Sequence, residues 1–272
     1  MNATVHIKMD TGMNRLGIKP DGDTTALLLA IASLPSIEME GIFTHLALCS
    51  RESDEAQVAL FRTVLADAAN AGLRFKLAHV CDSIGMMRYP EYRMDMVRAG
   101  AVLFGVTPLN TPISDSIDIR VPFALRTKIS RLRQLKPGEG VGYDYTWRAP
   151  AEGALLATLP IGYADGYKRC MANKASVMIR GEKAPVVGLV CMDQCTVDVS
   201  AVPGVREGDD VLLLGRSAGE SIPILDVASW GATNRNEILC ALGRRVPRIY
   251  SMNGKACAER DYVLGGEIEY EN

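Results

Sequence analysis

Hydrophobic and polar positions change their period along this chain, and the change divides it in two. The opening segment Val5-His6-Ile7-Lys8-Met9 alternates apolar with polar residues and runs into Asp10, Arg15 and two glycines. Alternation of period two predicts a strand near 4–9 that carries charged residues at its C-terminal end. A strand this early, with no turn or cap ahead of it, reads as the middle of a fold. A Gly-rich turn leads to the apolar run TTALLLAIASL at 24–34, and a strand over 38–46 ends in Thr44-His45. Ser53 is then expected to cap a helix in which Val58, Leu60, Phe61, Val64 and Leu65 keep the helical period, with Gly72 as its stop. A strand at 75–81 ends in Asp82-Ser83, and after a short helical turn MVRAGAVLF predicts a fourth strand within 95–104.

All four strands present polar residues at or beyond their C-terminal ends, where (β/α)8 barrels build their sites. A closed barrel needs eight strands and about 250 residues. Four βα units therefore predict an incomplete, half TIM-type barrel over residues 1–120, with open strand edges. From about Pro122 the pattern becomes short β runs with glycine and proline between them: FALRTKISRLRQL, ALLATLPIGYA, ASVMIRG, APVVGLVCM, CTVDVS and DDVLLLG. This predicts an α/β plus all-β organisation, with a second, mainly β domain over 121–272. One helix is expected at about 233–242, followed by a strand at VPRIYS.

Composition narrows the function classes. The 272 residues are 48% hydrophobic and 23% charged, enough to bury a sizeable core, and the formal net charge is −2. That balance argues against a nucleic acid or an anionic membrane as partner, since both need concentrated basic surface. No apolar run approaches the ~18 residues of a membrane span, and no signal-like segment opens the chain, so a cytoplasmic protein acting on small molecules is expected. Seven cysteines lie scattered in apolar contexts without zinc-site spacing, which predicts reduced structural thiols and no metal.

Four groups of residues bear chemistry: KMDTGMNRLG (8–17), THLA (44–47) with HVCDS (79–83), MVRAG (96–100), and the set VGYDYTW (141–147), PIGYADGYKR (160–169) and VCMDQC (190–195). Singly, each has an ordinary structural reading: solvated arginines, satisfied core histidines, packing tyrosines. Together and in this order, from Val5 to about Arg248, they closely resemble the alanine racemase family, the pyridoxal-phosphate (PLP) enzymes that interconvert L- and D-alanine. KMDTGMNRLG, MVRAG, GYADGYKR, VCMDQ and RVPR are the specific strings.

The resemblance implies a PLP-binding barrel followed by a β domain, and it begins at what would be the barrel's fifth strand. On that alignment the chain is expected to represent only the C-terminal two-thirds of the family's length. The family's VKANAYGHG-like motif, whose lysine forms the Schiff base with PLP, has no counterpart among Lys8, Lys19, Lys76, Lys128, Lys136, Lys168, Lys174, Lys183 and Lys255. Racemisation moves a proton from one face of the α-carbon to the other and so needs two bases. The family uses that lysine and a tyrosine from the other subunit's β domain, which Tyr143 matches. A phenol needs a positive, hydrogen-bonding environment to act as a base, and His45 and Arg98 match the residues that supply it; Arg98 would also face the pyridine nitrogen. Arg15 and the Met192 amide resemble the pair that holds the substrate carboxylate, with Lys8 in support of the arginine. Ser83 and Gly100 resemble phosphate contacts, and Tyr163 lines the way in.

Four positions depart from the family pattern. Asp82 stands for asparagine, Asp144 for the glycine after the catalytic tyrosine, and Leu189 for an arginine. Asn236 replaces a tyrosine that contacts the phosphate and narrows the pocket. The serine racemases of vancomycin-resistance systems also carry asparagine there, so serine joins alanine as an expected substrate. The implied assembly is a homodimer with shared sites. Three alternatives concern the missing lysine: a fragment of a longer enzyme, one half of a split enzyme whose partner is an N-terminal half chain carrying the lysine, or a non-catalytic relative. In each, this chain alone is expected to be inactive. PLP decarboxylases on a related fold are the rival enzyme class, but their Gly-rich phosphate loop has no equivalent here.

Overall fold

Strand β1 (Ala3–Lys8) follows from the alternation of its residues, and it pairs in parallel with β2 (Ile37–Phe43) across the intervening helix α1 (Thr24–Ala32). The structure is a computed structural model that describes residues 2–107 and 118–269. It divides into two units, Met1–Arg120 and Val121–Asn272.

In the first unit, α2 (Arg51–Asn70) leads to β3 (Leu77–His79) and the short α3 (Ser83–Arg88). The described strands make a parallel sheet of order β1-β2-β3. Met9, Leu28, Ile42, Val58, Phe61 and Val80 are buried together beneath it, so the apolar face of α2 has the sheet as its partner. Ser50, rather than Ser53, is the N-cap of α2: its side chain accepts from the Ser53 amide, three residues on. The capping logic holds one turn earlier than the sequence suggested, because the cap lies outside the helix and Ser53 is already within it.

The fourth expected strand is a second correction. Arg98 makes one isolated parallel bridge with Asp82, and Ala101–Phe104 is a 3-10 turn that ends at Gly105 with φ 75°. A short apolar run is equally compatible with strand and turn, and the flanking glycines decide for the turn.

The second unit is antiparallel throughout. FALRTKISRLRQL, read as one run, splits into β4 (Ala124–Lys128) and β5 (Arg131–Leu135), which join different sheets. Strands β6 (Ala154–Leu159) and β9 (Cys195–Asp198) complete the sheet β5-β6-β9. Before β9 come β7 (Ser176–Ile179) and β8 (Glu182–Pro185); after it come β10 (Asp210–Ser217) and β11 (Glu220–Ile222). These form the order β11-β10-β7-β8, with β4 also on β10. Helices α4 (Ile224–Trp230) and α5 (Arg235–Ala241) follow, then a meander of β12 (Arg248–Met252), β13 (Lys255–Asp261) and β14 (Gly266–Glu269). No helix among the described residues is long and apolar enough to cross a membrane.

Candidate active site

In the first unit the polar residues gather where β1, β2 and β3 end. The Arg98 guanidinium is half-buried there and saturates its surroundings. Nη2 donates to the Thr44 carbonyl (3.0 Å), the Val80 carbonyl (2.9 Å) and His45 Nδ1 (3.0 Å), while Nη1 meets His79 Nδ1 at 2.5 Å. The ring of Phe43 stacks on His79 at 4.8 Å and lies 5.1 Å from the guanidinium carbon. Arg98 is held in this place by its backbone amide, which donates to the Cys81 carbonyl two residues beyond β3.

Burial and this cation shape the histidines. Desolvation, reinforced by Arg98 and His6, pushes His79 down to about 4. Desolvation also lowers His45, with Asp82 opposing it from 3.9 Å and Arg98 adding to it. Arg98 itself is lowered by burial and supported by the Asp82 charge. Lys8 is lowered by burial too, and its Nζ donates to the Met9 carbonyl at 2.7 Å.

The loop that carries Arg15 is pinned at both ends. Asp10 Oδ1 accepts from the amides of Gly12 and Asn14, and the Asp10 amide donates to the Ile18 carbonyl. Gly17, at φ 122°, lies so close to Lys8 that a Cβ would stand 2.8 Å from its Cγ. Arg15 is exposed, and its charge reaches Lys8 and His45. After β3, Asp82 Oδ1 caps α3 by accepting from Ile84 and Gly85, and the buried Ser83 hydroxyl accepts from the amides of Gly100 (2.8 Å) and Val102 (3.3 Å). The structure therefore brings Arg98, His45, Asp82, Lys8, Ser83 and Gly100 to one end of the sheet.

Gln57 and Asp54 of α2 hold the loop after His45, by accepting from the amides of Ala47 and Leu48, and Tyr89 closes on Asp54 at 2.7 Å. Neither was readable as a support, since both look like ordinary helix surface; they are buried. His6 and Glu40 also join the network. The signal for His6 was present: alternation in β1 puts it on the same face as Lys8.

In the second unit Tyr143 is 69% exposed at the head of the 3-10 turn Tyr143–Tyr145. Gly142, Asp144 and Tyr145 take positive φ of 64°, 60° and 43°, and Asp144, at ψ 4°, occupies a left-handed conformation that suits glycine. A Cβ on Gly142 would come 3.9 Å from the Leu189 amide, so Leu189 neighbours this turn. Tyr163 and Met192 are brought together through their backbones. The Tyr163 amide donates to the Cys191 carbonyl and the Ala164 amide to that of Met192, each at 3.0 Å. Gly162 permits this approach, as a Cβ there would stand 2.3 Å from both carbonyl oxygens. Asn236 lies exposed in the first turn of α5, and the end of that helix sits against Gly166 of the Tyr163 turn. No cluster of metal-ligating side chains occurs among the described residues.

A βα unit with its polar groups at parallel strand ends, followed by an antiparallel β unit, is the plan of a barrel-plus-β-domain enzyme. Comparison with known proteins specifies the kind. The family model described as alanine racemase, N-terminal domain, matches residues 1–108, and that described as alanine racemase, C-terminal domain, matches 123–250. Alanine racemase of Desulfovibrio desulfuricans is 41% identical over 250 residues, covering 90% of this chain and 66% of the relative. That of Desulforamulus reducens is 37% identical over 252 residues, covering 91% and 67%. The solved alanine racemase of Clostridium difficile 630 superposes with a TM-score of 0.90 at 33% identity, over 97% of this chain and 68% of that one. This chain belongs to the alanine racemase family, whose members are PLP-dependent and whose name denotes an isomerase.

The expectation that the chain represents only the family's C-terminal two-thirds is corrected by these matches, because both the N-terminal and the C-terminal domain models find their counterpart in it. A separate N-terminal half chain as partner loses its support for the same reason. The chain spans about two thirds of the length of the relatives it matches.

Proposed function

We propose that this chain supplies cofactor- and substrate-binding residues of a PLP-dependent amino-acid racemase that acts on alanine and accepts serine. The observation that carries the reading is the Arg98 cluster, a cation held by His45, His79 and two carbonyls beside Ser83 and Gly100. The donor set fits PLP. A guanidinium keeps its proton at any working pH and can only donate, which suits an unprotonated pyridine nitrogen. The Gly100 and Val102 amides hold the Ser83 oxygen, which leaves the Ser83 hydroxyl hydrogen to donate to a phosphate, and a Cβ at Gly100 would meet only Ser83 Oγ, at 3.8 Å. When bound, PLP supplies the electron sink that makes the α-proton of an amino acid acidic.

The chain's own groups then divide the work. Arg15 of one copy and the Met192 amide of a second copy hold the substrate carboxylate, a use that suits guanidinium geometry. Tyr143 of that second copy gives and takes the α-proton at its phenol oxygen. A phenol ordinarily titrates near 10, and the N–H of His45, backed by Arg98, is the positive environment it needs. Lys8 supports the Arg15 loop, and Tyr163 lines the approach. None of the nine lysines stands in a VKANAYGHG-like motif, and Lys8 directs its Nζ to a backbone carbonyl, so this reading assigns no lysine of the chain to the cofactor's aldehyde carbon.

Titration of the purified chain with PLP, followed by absorbance, checks the proposal. Saturable binding that Arg98→Ala abolishes is expected, with no stoichiometric borohydride-trapped lysine adduct. Absence of saturable binding overturns the function, and a single adduct site overturns the lysine reading. Serine rests on Asn236, whose amide both donates and accepts where the family's tyrosine is bulky and aromatic. In an assembly that racemises, Asn236→Tyr should lower the serine-to-alanine ratio of kcat/KM; an unchanged ratio returns the reading to alanine alone.

A further inference from the structure

The hydrogen bonds around Arg98 continue away from the proposed cofactor site, and they have a fixed direction. His79 presents Nδ1 to Arg98 and Nε2 to His6 Nδ1 at 2.8 Å, and His6 presents Nε2 to Glu40 Oε2 at 3.4 Å. Glu40 in turn pairs with Lys76 at 3.0 Å. An arginine can only donate and a carboxylate can only accept, so every link between them is determined. Arg98 donates an N–H to His79 Nδ1; His79 must therefore carry its own hydrogen on Nε2 and donate it to His6 Nδ1; His6 must carry its hydrogen on Nε2 and donate it to Glu40. On the other side Arg98 donates to His45 Nδ1, which places that proton on Nε2 as well. His6, His45 and His79 are all the histidines of the chain.

The backbone is arranged for this run. In the parallel pairing of β1 and β2, Val5 faces Met39 but His6 faces Gly41, so Glu40 is an extra, bulged residue at that point. Bulges re-aim side chains near functional sites, and this one delivers the carboxylate to His6. Gly41 makes room for the ring, since a Cβ there would stand 2.4 Å from His6 Nδ1. A protonated His6 is incompatible with the pattern, because its Nδ1–H would oppose the Nε2–H of His79. The groups facing His6 are Glu40 and Gly41 of β2 and His79 of β3, with Lys76 behind Glu40.

We propose that His6, terminated by Glu40, is a positioning residue for Arg98 that acts through His79, and that the one-way run locks all three histidines as neutral Nε2–H tautomers. Fixing His79 fixes which guanidinium nitrogens are spent inward, and so which edge of Arg98 is turned to a ligand. The tautomer pattern follows from geometry alone; its bearing on PLP rests on the racemase reading above.

The test is nitrogen-15 NMR of histidine-labelled full chain at pH 7 to 7.5, where three histidines give a simple spectrum. Three Nε2–H neutral tautomers are expected, and an Nδ1–H tautomer or an imidazolium at any of them overturns the proposal without any variant. His6→Leu removes the acceptor of the buried His79 Nε2–H and should shift that Nε2 resonance while Arg98 keeps the Nε2–H tautomer, with PLP affinity weakened about tenfold. His6→Asn, whose side-chain oxygen can still accept from His79, should restore both. A His79 signal unmoved in His6→Leu overturns the positioning role. If His79 responds as expected while wild-type chain binds no PLP, the relay stands and the racemase reading fails.

Discussion

The two groups of proposed site residues are held in place by different physics. Around Arg98 each side chain is fixed by hydrogen bonds to other polar groups at a half-buried strand end, where loss of solvent strengthens every one of them. Tyr143, Tyr163 and Met192 are exposed, and their positions come from the backbone: a left-handed turn in one case and carbonyls packed onto a glycine in the other. The first arrangement is sensitive to charge and pH; the second is sensitive to a single added methyl group.

The contrast can be broken most severely at Arg98. Arg98→Leu leaves two carbonyls and two histidine nitrogens without their donor, and urea unfolding should show a loss of about 4 kcal/mol. An effect below about 1 kcal/mol would mean that water replaces the cation easily and that the cluster is not rigid.

A titration sharpens the same side of the comparison. His79 is depressed in the folded state, from 6.5 to about 4, so the unfolded chain binds the extra proton as pH falls between those values. The stabilisation is therefore complete above 6.5 and is lost on acidification toward 4, by roughly 3 kcal/mol on linkage grounds. Unfolding free energies measured across that window should fall, and His79→Gln should flatten the slope. A slope unchanged by the substitution would exclude His79 as its source.

On the backbone-built side, Gly162→Ala should cost about 2 kcal/mol, since its methyl group would meet two carbonyl oxygens that cannot retreat without moving the Met192 loop. The His79 NMR signal should remain as in wild type. The smallest expected effect is a gain: Asp144→Gly relieves a left-handed residue at φ 60° and should stabilise by about 0.5–1 kcal/mol. If it destabilises instead, the Asp144 side chain contributes a local interaction that outweighs its backbone strain.

Much of the proposed site was legible as residue strings: MVRAG pointed to Arg98 and Gly100 and THLA to His45, which the structure brings to one end of the sheet, and VGYDY pointed to Tyr143 in the second unit. The supporting residues were not readable. Asp54 and Gln57 occupy helix positions that look solvated, and Glu40 reaches His6 only through a bulge that no local pattern announces. The fourth expected strand failed because MVRAGAVLF is too short for its apolar content to distinguish an extended segment from a turn.

The sequence by itself determined the family and the two-unit order of parallel βα elements and antiparallel β runs, since these depend on side-chain chemistry and on periodicity within a few residues. Only the tertiary structure decided which groups touch. That Arg98 is spent on two histidines, that His79 passes the donor direction to His6 and Glu40, and that Gly162 seats Tyr163 against the Met192 loop all follow from strands and loops distant in sequence. Contacts of that kind are set by register, bulges and the absence of a Cβ, and a linear pattern carries no term for them.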